Sequence, residues 1–172
     1  MIFGRKLPAP VARLGGHPID FALLDDGAWI VPFADRLVYA PTEAMPDEQG
    51  GAGATEEPVT YERFDFEGAS WNECARTITF AFVDGRPEWT ITFAEGEKQK
   101  ISWVIRERLD RSIFYQEHAE LPSGARARGL VRRARDESLF TQVIIDGRSG
   151  PADAERVEEL EASLRDVTGI SA

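Results

Sequence analysis

The side chains able to do chemistry in this 172-residue chain are few, and their spacing removes most of what they could do. His17 and His118 are the only histidines and Cys74 the only cysteine. A His-Glu-x-x-His zinc site is excluded because the two histidines lie far apart, and a single cysteine excludes an internal disulfide and a cysteine metal site within one chain. No Asp-rich calcium loop occurs. A serine hydrolase needs its nucleophile on a tight glycine-flanked turn with a base and an acid in reach. No Gly-x-Ser-x-Gly is present, and Ser123-Gly124 offers only nearness in sequence to His118. Cys74, in or beside a turn, reads as an incidental small residue. The sequence therefore assigns no catalytic residue, no cofactor and no metal ligand, and it leans away from an enzyme.

What remains are side chains that bind rather than react. Arg108 falls in the apolar stripe of a helix, where an unpaired buried charge costs several kcal/mol. Either its stem packs and its head pairs with an acid of a facing sheet, or it lines a pocket and holds an anionic ligand. His118, on a half-buried strand, is open to the same two readings. Trp103 lies on the opposite side of the Arg108 helix, so something is expected to cover that side too. Arg126, Arg128 and Arg132 form the densest positive cluster in a chain of formal net charge -10. They pair with the chain's own carboxylates or meet an acidic protein partner. The overall charge disfavours nucleic acid and anionic lipid.

These residues sit on, or just after, residues 97–121, which read as a helix running directly into a strand. Ile101, Val104, Ile105 and Leu109 share one face at a helical step. Before it, residues 1–18 read as an irregular lead-in packed by Leu7, Val11 and Leu14. Strands follow at 21–24 and 29–33 around Asp25-Asp26-Gly27, at 36–40, and at 59–66, with a short strand at 69–71. Residues 41–58, rich in Pro, Gly and acid, read as a flexible loop. Their Gly50-Gly51-Ala52-Gly53 lacks the Lys and Ser/Thr of a P-loop. The clearest alternation is Ile78, Phe80, Phe82 against Trp89, Ile91, Phe93, a core hairpin in which Phe80 packs on Trp89.

After the helix come strands at 113–119, 126–134 and 139–145, then a helix with the stripe Val157, Leu160, Leu164, Val167 and a stop at Gly169. Pairing the last two strands across Asp136-Glu137 puts Arg126, Arg128, Leu130 and Arg132 beside Val143 and Ile145. Ala127, Gly129 and Val131 then face the closing helix. The fold class is α+β: residues 1–112 form a β-unit with a capping helix, in the order of a partly open pleckstrin-homology-like barrel. Residues 113–172 form a βββα unit packed against it.

Arg106-Glu107-Arg108, Ser112, His118, Leu121, the arginine-rich strand, the run Phe140–Asp146 and Pro151 before an acidic helix carry a resemblance. In order and spacing the chain resembles a family of small actinobacterial proteins of no established function. That resemblance supports the architecture and brings no site residue with it. The composition, with 42% hydrophobic and 29% charged residues, suits a globular protein. No run approaches the length of a membrane span. Pro8, Pro10 and Arg13 interrupt any signal-peptide core, so the expected compartment is the cytoplasm. The expected function is a non-catalytic protein- or peptide-interaction module. The alternative is a small-molecule protein or enzyme with an anion pocket between the two units, near Trp103, Arg108 and His118.

Overall fold

The computed structural model describes residues 6–41, 57–97 and 100–169. Most of the expected 41–58 loop lies outside the described residues. The chain divides into two compact units, Met1–Leu109 and Asp110–Ala172.

The lead-in is more regular than its prolines suggested. Residues Ala9–Arg13 form a short helix, α1, with Pro8 at its N-cap and Pro10 in its first turn. A missing N–H costs nothing there, because those groups have no partner inside a helix. Val11 of α1 is buried with Phe21, Val31, Phe33 and Val38.

Strands β1 (Ala22–Leu23), β2 (Trp29–Pro32), β3 (Arg36–Ala40) and β4 (Val59–Glu62) pair antiparallel in chain order. The expected turn between β1 and β2 holds Gly27 at φ +87. Asp26 Oδ1 accepts the Ala28 N–H at 2.9 Å. Ile30 and Leu37 enter the main core while Val31 and Val38 enter the α1 cluster. Both faces of β2 and β3 are therefore covered, which is why they read as continuous apolar runs and not as alternation.

The expected strand at 59–66 is broken. Arg63–Asp65 make one 3-10 turn, and Asp65 Oδ2 accepts the Glu62 N–H at 2.8 Å. This corner ends β4 and starts β5 (Phe66–Asn72) in a second sheet with β6 (Thr77–Phe82) and β7 (Trp89–Thr92). Here the alternation holds: Ile78, Phe80 and Phe82 are buried, and Thr79 and Thr90 turn outward with hydroxyls 2.9 Å apart. Phe80 and Trp89 are register partners, with rings stacked at 5.1 Å and 23°.

The two sheets meet where Leu24 bridges Phe93. The Asp25 N–H donates to the Thr92 carbonyl, and the Ala94 N–H to that of Leu23, each at 3.0 Å. Strand order is thus continuous from β4 through β1 and β7 to β5. Inside lies one core of Leu24, Ile30, Leu37, Phe66, Phe80, Phe82 and Phe93, which Ile101, Ile105 and Leu109 of α2 (Lys100–Asp110) complete.

The second unit is a sheet in the order β10–β9–β8, with β8 (Ile113–Glu120), β9 (Arg126–Arg133) and β10 (Leu139–Asp146). Helix α3 (Ala154–Thr168) lies on one face and stops at Gly169, φ +67. The expectation that α3 covers the Gly129 face is met. A Cβ on Gly129 would stand 2.7 Å from Leu164 Cδ1 and 3.0 Å from Leu160 Cγ, so the missing side chain sets the helix-to-sheet distance. Asp153, just before α3, clips the second unit's loops. Its carboxylate accepts N–H groups from Ser123 at 2.9 Å and Gly150 at 2.7 Å.

Replacing Gly129 by Ala should cost about 1–3 kcal/mol, the usual price of overpacking. Denaturant melts of Gly129→Ala, Leu164→Ala and the double variant test it. The loss on adding Cβ should shrink when Leu164 is already shortened, and strict additivity would contradict the contact. A second expectation concerns pH. The Gly150 N–H foremost, then Ser123, holds the Asp153 carboxyl below its ordinary value of 3.8. A group depressed on folding stabilises fully above its unfolded pKa, and that contribution disappears as pH falls toward the folded value. The melting difference between wild type and Asp153→Asn should be constant near neutrality and narrow below about pH 4. A difference independent of pH would remove the charge from this account.

Candidate functional site

The β9–β10 turn determines what β9 presents. Ala134 N–H donates to the Ser138 carbonyl at 2.8 Å, which leaves Arg135, Asp136 and Glu137 as the loop, with Glu137 at φ +67. A three-residue loop ending in a left-handed residue is a common hairpin form. It shifts the pairing by one residue from the two-residue loop expected. Arg126, Arg128, Leu130 and Arg132 therefore stand opposite Asp146, Ile144, Gln142 and Phe140. Val143 and Ile145, expected beside the arginines, lie on the α3 face opposite Gly129 and Ala127. A one-residue slip exchanges the two faces of a strand, which is why the loop count mattered.

The three arginines are not equivalent. Arg126 is exposed and Arg128 half-buried. Arg132 is 1% exposed, and its Nη1 donates to Ser112 Oγ at 3.0 Å. A guanidinium so placed is structural, since a cation removed from water needs every bond it can make. Arg108 is half-buried as its stripe position suggested. Among the described residues its ion pair is with Glu107, its neighbour on α2, 3.8 Å from Nη2, and not with an acid from a facing sheet. At that distance and exposure the pair contributes little. Trp103 is 71% exposed. The expected cover on its side of α2 is not there, because the helix buries the single stripe Ile101, Val104, Ile105, Leu109. Trp103 and Arg108 thus do not converge on one site. Ser123 is occupied locally, its Oγ accepting the Ala125 N–H at 3.3 Å.

His118 is exposed on β8, opposite Arg128, and β8 is the feature that stands out. It is eight residues long and lies at the edge of its sheet, paired only with β9 among the described residues. The Leu121 N–H bonds the Ala125 carbonyl at 2.9 Å, and bonded and non-bonded pairs alternate along an antiparallel ladder. Ala119 and Glu117 therefore turn their backbone groups toward β9, and Glu120, His118 and Gln116 turn theirs outward. Those outward groups are a template for another strand.

The start of this edge also carries apolar surface. Phe114, bulged out of register between Ile113 and Tyr115, is 54% exposed and Tyr115 36%. Arg133 lies 5.8 Å from the Phe114 ring centroid. On the α3 side, Glu117 Oε2 accepts the Ser163 hydroxyl at 3.0 Å, which ties the strand to the helix. Sequence reading picked out His118 from this strand and missed Phe114 and Tyr115. Their signal was two aromatics in succession, which in a strand with one covered face must leave at least one outside.

Among the described residues no group of three or more His, Cys, Asp or Glu is placed to hold a metal ion, and no helix is long and apolar enough to cross a membrane. Comparison of the chain with protein-family models, with curated proteins and with solved structures finds no match.

Removing Arg132 separates its structural role from any surface role of the cluster. Arg132→Gln should destabilise by about 1–3 kcal/mol, because Ser112 is left buried beside a shorter partner. Arg126→Gln should stay within about 0.5 kcal/mol, as exposed substitutions do. Urea melts of the two variants are the check, and equal effects would contradict the ranking by burial.

Proposed function

We propose that this chain is a non-catalytic protein- or peptide-interaction module that adds an extended segment to the open edge of β8. The observation that carries the reading is the outward-facing backbone of Gln116, His118 and Glu120 on an eight-residue edge strand. Strand addition uses main-chain bonds for affinity and the flanking side chains for selectivity. In this reading the selecting groups are the exposed Phe114 and Tyr115 at one end and His118, Glu120 and Arg126 at the other. We read Met1–Leu109 as a pleckstrin-homology-like scaffold, on the analogy of seven strands and a helix; the docking edge belongs to the other unit. The chain's net charge of -10 argues for a polypeptide partner over nucleic acid, and the reading places the module in the cytoplasm.

Proline at position 118 tests the edge directly. The His118 N–H faces outward, so His118→Pro deletes no bond to β9, and proline is tolerated on sheet edges. The expected result is an unchanged circular dichroism spectrum together with loss of binding to short peptides selected from a display library against the wild type. Peptides that bind the folded proline variant as well as the wild type would place the binding surface elsewhere.

A further inference from the structure

We propose that the segment this edge accepts is the β8 edge of a second copy, paired antiparallel about a two-fold axis at His118. The proposal rests on β8 being a docking edge and adds the identity and register of its occupant. A strand that pairs with its own copy must place opposite each other residues whose N–H and C=O groups both point outward. On β8 these are Gln116, His118 and Glu120, so the axis can stand at any of the five residues from Gln116 to Glu120.

The side chains separate the five: an axis at Glu120 sets that carboxylate against its own copy, and one at Ala119 sets Phe114 against Gly124 of the turn, with no side chain to meet. An axis at Glu117 sets that carboxylate against its own copy and Glu120 against the bulged Phe114. Like charges directly opposite destabilise a ladder. An axis at Gln116 brings His118 against Phe114, where the bulge interrupts regular pairing. An axis at His118 lies clear of the bulge for its central pairs. It puts the Gln116 amide opposite the Glu120 carboxylate and Glu117 opposite Ala119. Tyr115 stands opposite Leu121, which its own unit already buries, and the exposed Phe114 meets the exposed Pro122. Only this register sets Phe114 against an exposed apolar side chain, with no acid facing an acid. The product is a closed two-fold pair with a continuous six-stranded sheet and both α3 helices on one side.

Sedimentation velocity of the full chain over a concentration series reads the assembly. The expected result is a monomer–dimer equilibrium that His118→Pro abolishes, with its dichroism spectrum unchanged. Should that variant misfold, Phe114→Ser/Tyr115→Ser, which leaves the backbone ladder alone, should weaken the dimer at least tenfold. Register is read by mixing Glu117→Cys and Ala119→Cys chains, each carrying Cys74→Ser, under mild oxidation. Facing non-bonded pairs have Cα atoms about 4.5 Å apart, within disulfide reach. The mixture should give a covalent heterodimer, whereas Glu117→Cys alone cross-linking to itself would overturn the register. A dimer that persists in a folded His118→Pro variant overturns the proposal. So does a wild type that stays monomeric throughout. If that monomer still binds display-selected peptides at β8, the docking edge stands and self-pairing falls; if it binds none, both fall.

Discussion

The backbone contact between Leu24 and Phe93 is what the first unit depends on. Without it there would be two separate antiparallel sheets, each with two open edges. With it β1 and β7 become neighbours, the sheets turn toward each other, and Phe66, Phe80 and Phe82 of one share a core with Ile30 and Leu37 of the other. Burial of that apolar surface is the dominant favourable term in folding. The Asp25–Thr92 and Leu23–Ala94 bonds on either side of the bridge hold the joint in register. The corner at Arg63–Asp65 does the complementary work by letting β4 leave one sheet and β5 begin the other.

The second unit is organised by an absence. Gly129 has no side chain, so Leu160 and Leu164 come down onto the middle strand, and α3 gathers Ala119, Leu121, Ala125 and Ala127 beneath it. Small residues on one face of β8 and β9 thus produce a close helix-to-sheet contact. The opposite face carries the arginines, of which Arg132 is held by Ser112 and Arg126 is left in solvent. Three covalently similar residues on alternate positions end in three environments, and the depth of each decides whether it stabilises the fold or is free to meet something else.

In the proposed reading, function belongs to the backbone. No convergence of titratable groups marks a reaction centre among the described residues, and the side chains singled out for binding are spread over α2, β8 and β9. The edge of β8 gathers what they lack: a row of outward polar groups fixed in place by β9 on one side and by the Glu117–Ser163 bond to α3. Sheet edges are commonly blunted by charge or by a bulge. β8 has both a bulge and acids, yet places its two exposed aromatics at the bulge, where they add contact area instead of hiding the edge.

The sequence by itself determined the elements whose periodicity had one solution. The alternation around Phe80 and Trp89, the stripe Ile101–Leu109 of α2, the small face of β9 and the stop at Gly169 are local statements, legible because each residue's side follows from its neighbours. Where the outcome turned on one loop residue or on depth, sequence ran out. Glu137 in a left-handed conformation made the β9–β10 loop three residues long and moved Val143 and Ile145 to the other face. The 3-10 turn at Arg63 split one apparent strand into two. Trp103 stands in solvent although its size argued for cover, and Arg132 is buried although its charge argued for exposure. Periodicity fixes which side of an element a residue occupies. Which strand is an edge, and how deep each side lies, depends on contacts between segments far apart in the chain, and only the tertiary structure supplies those.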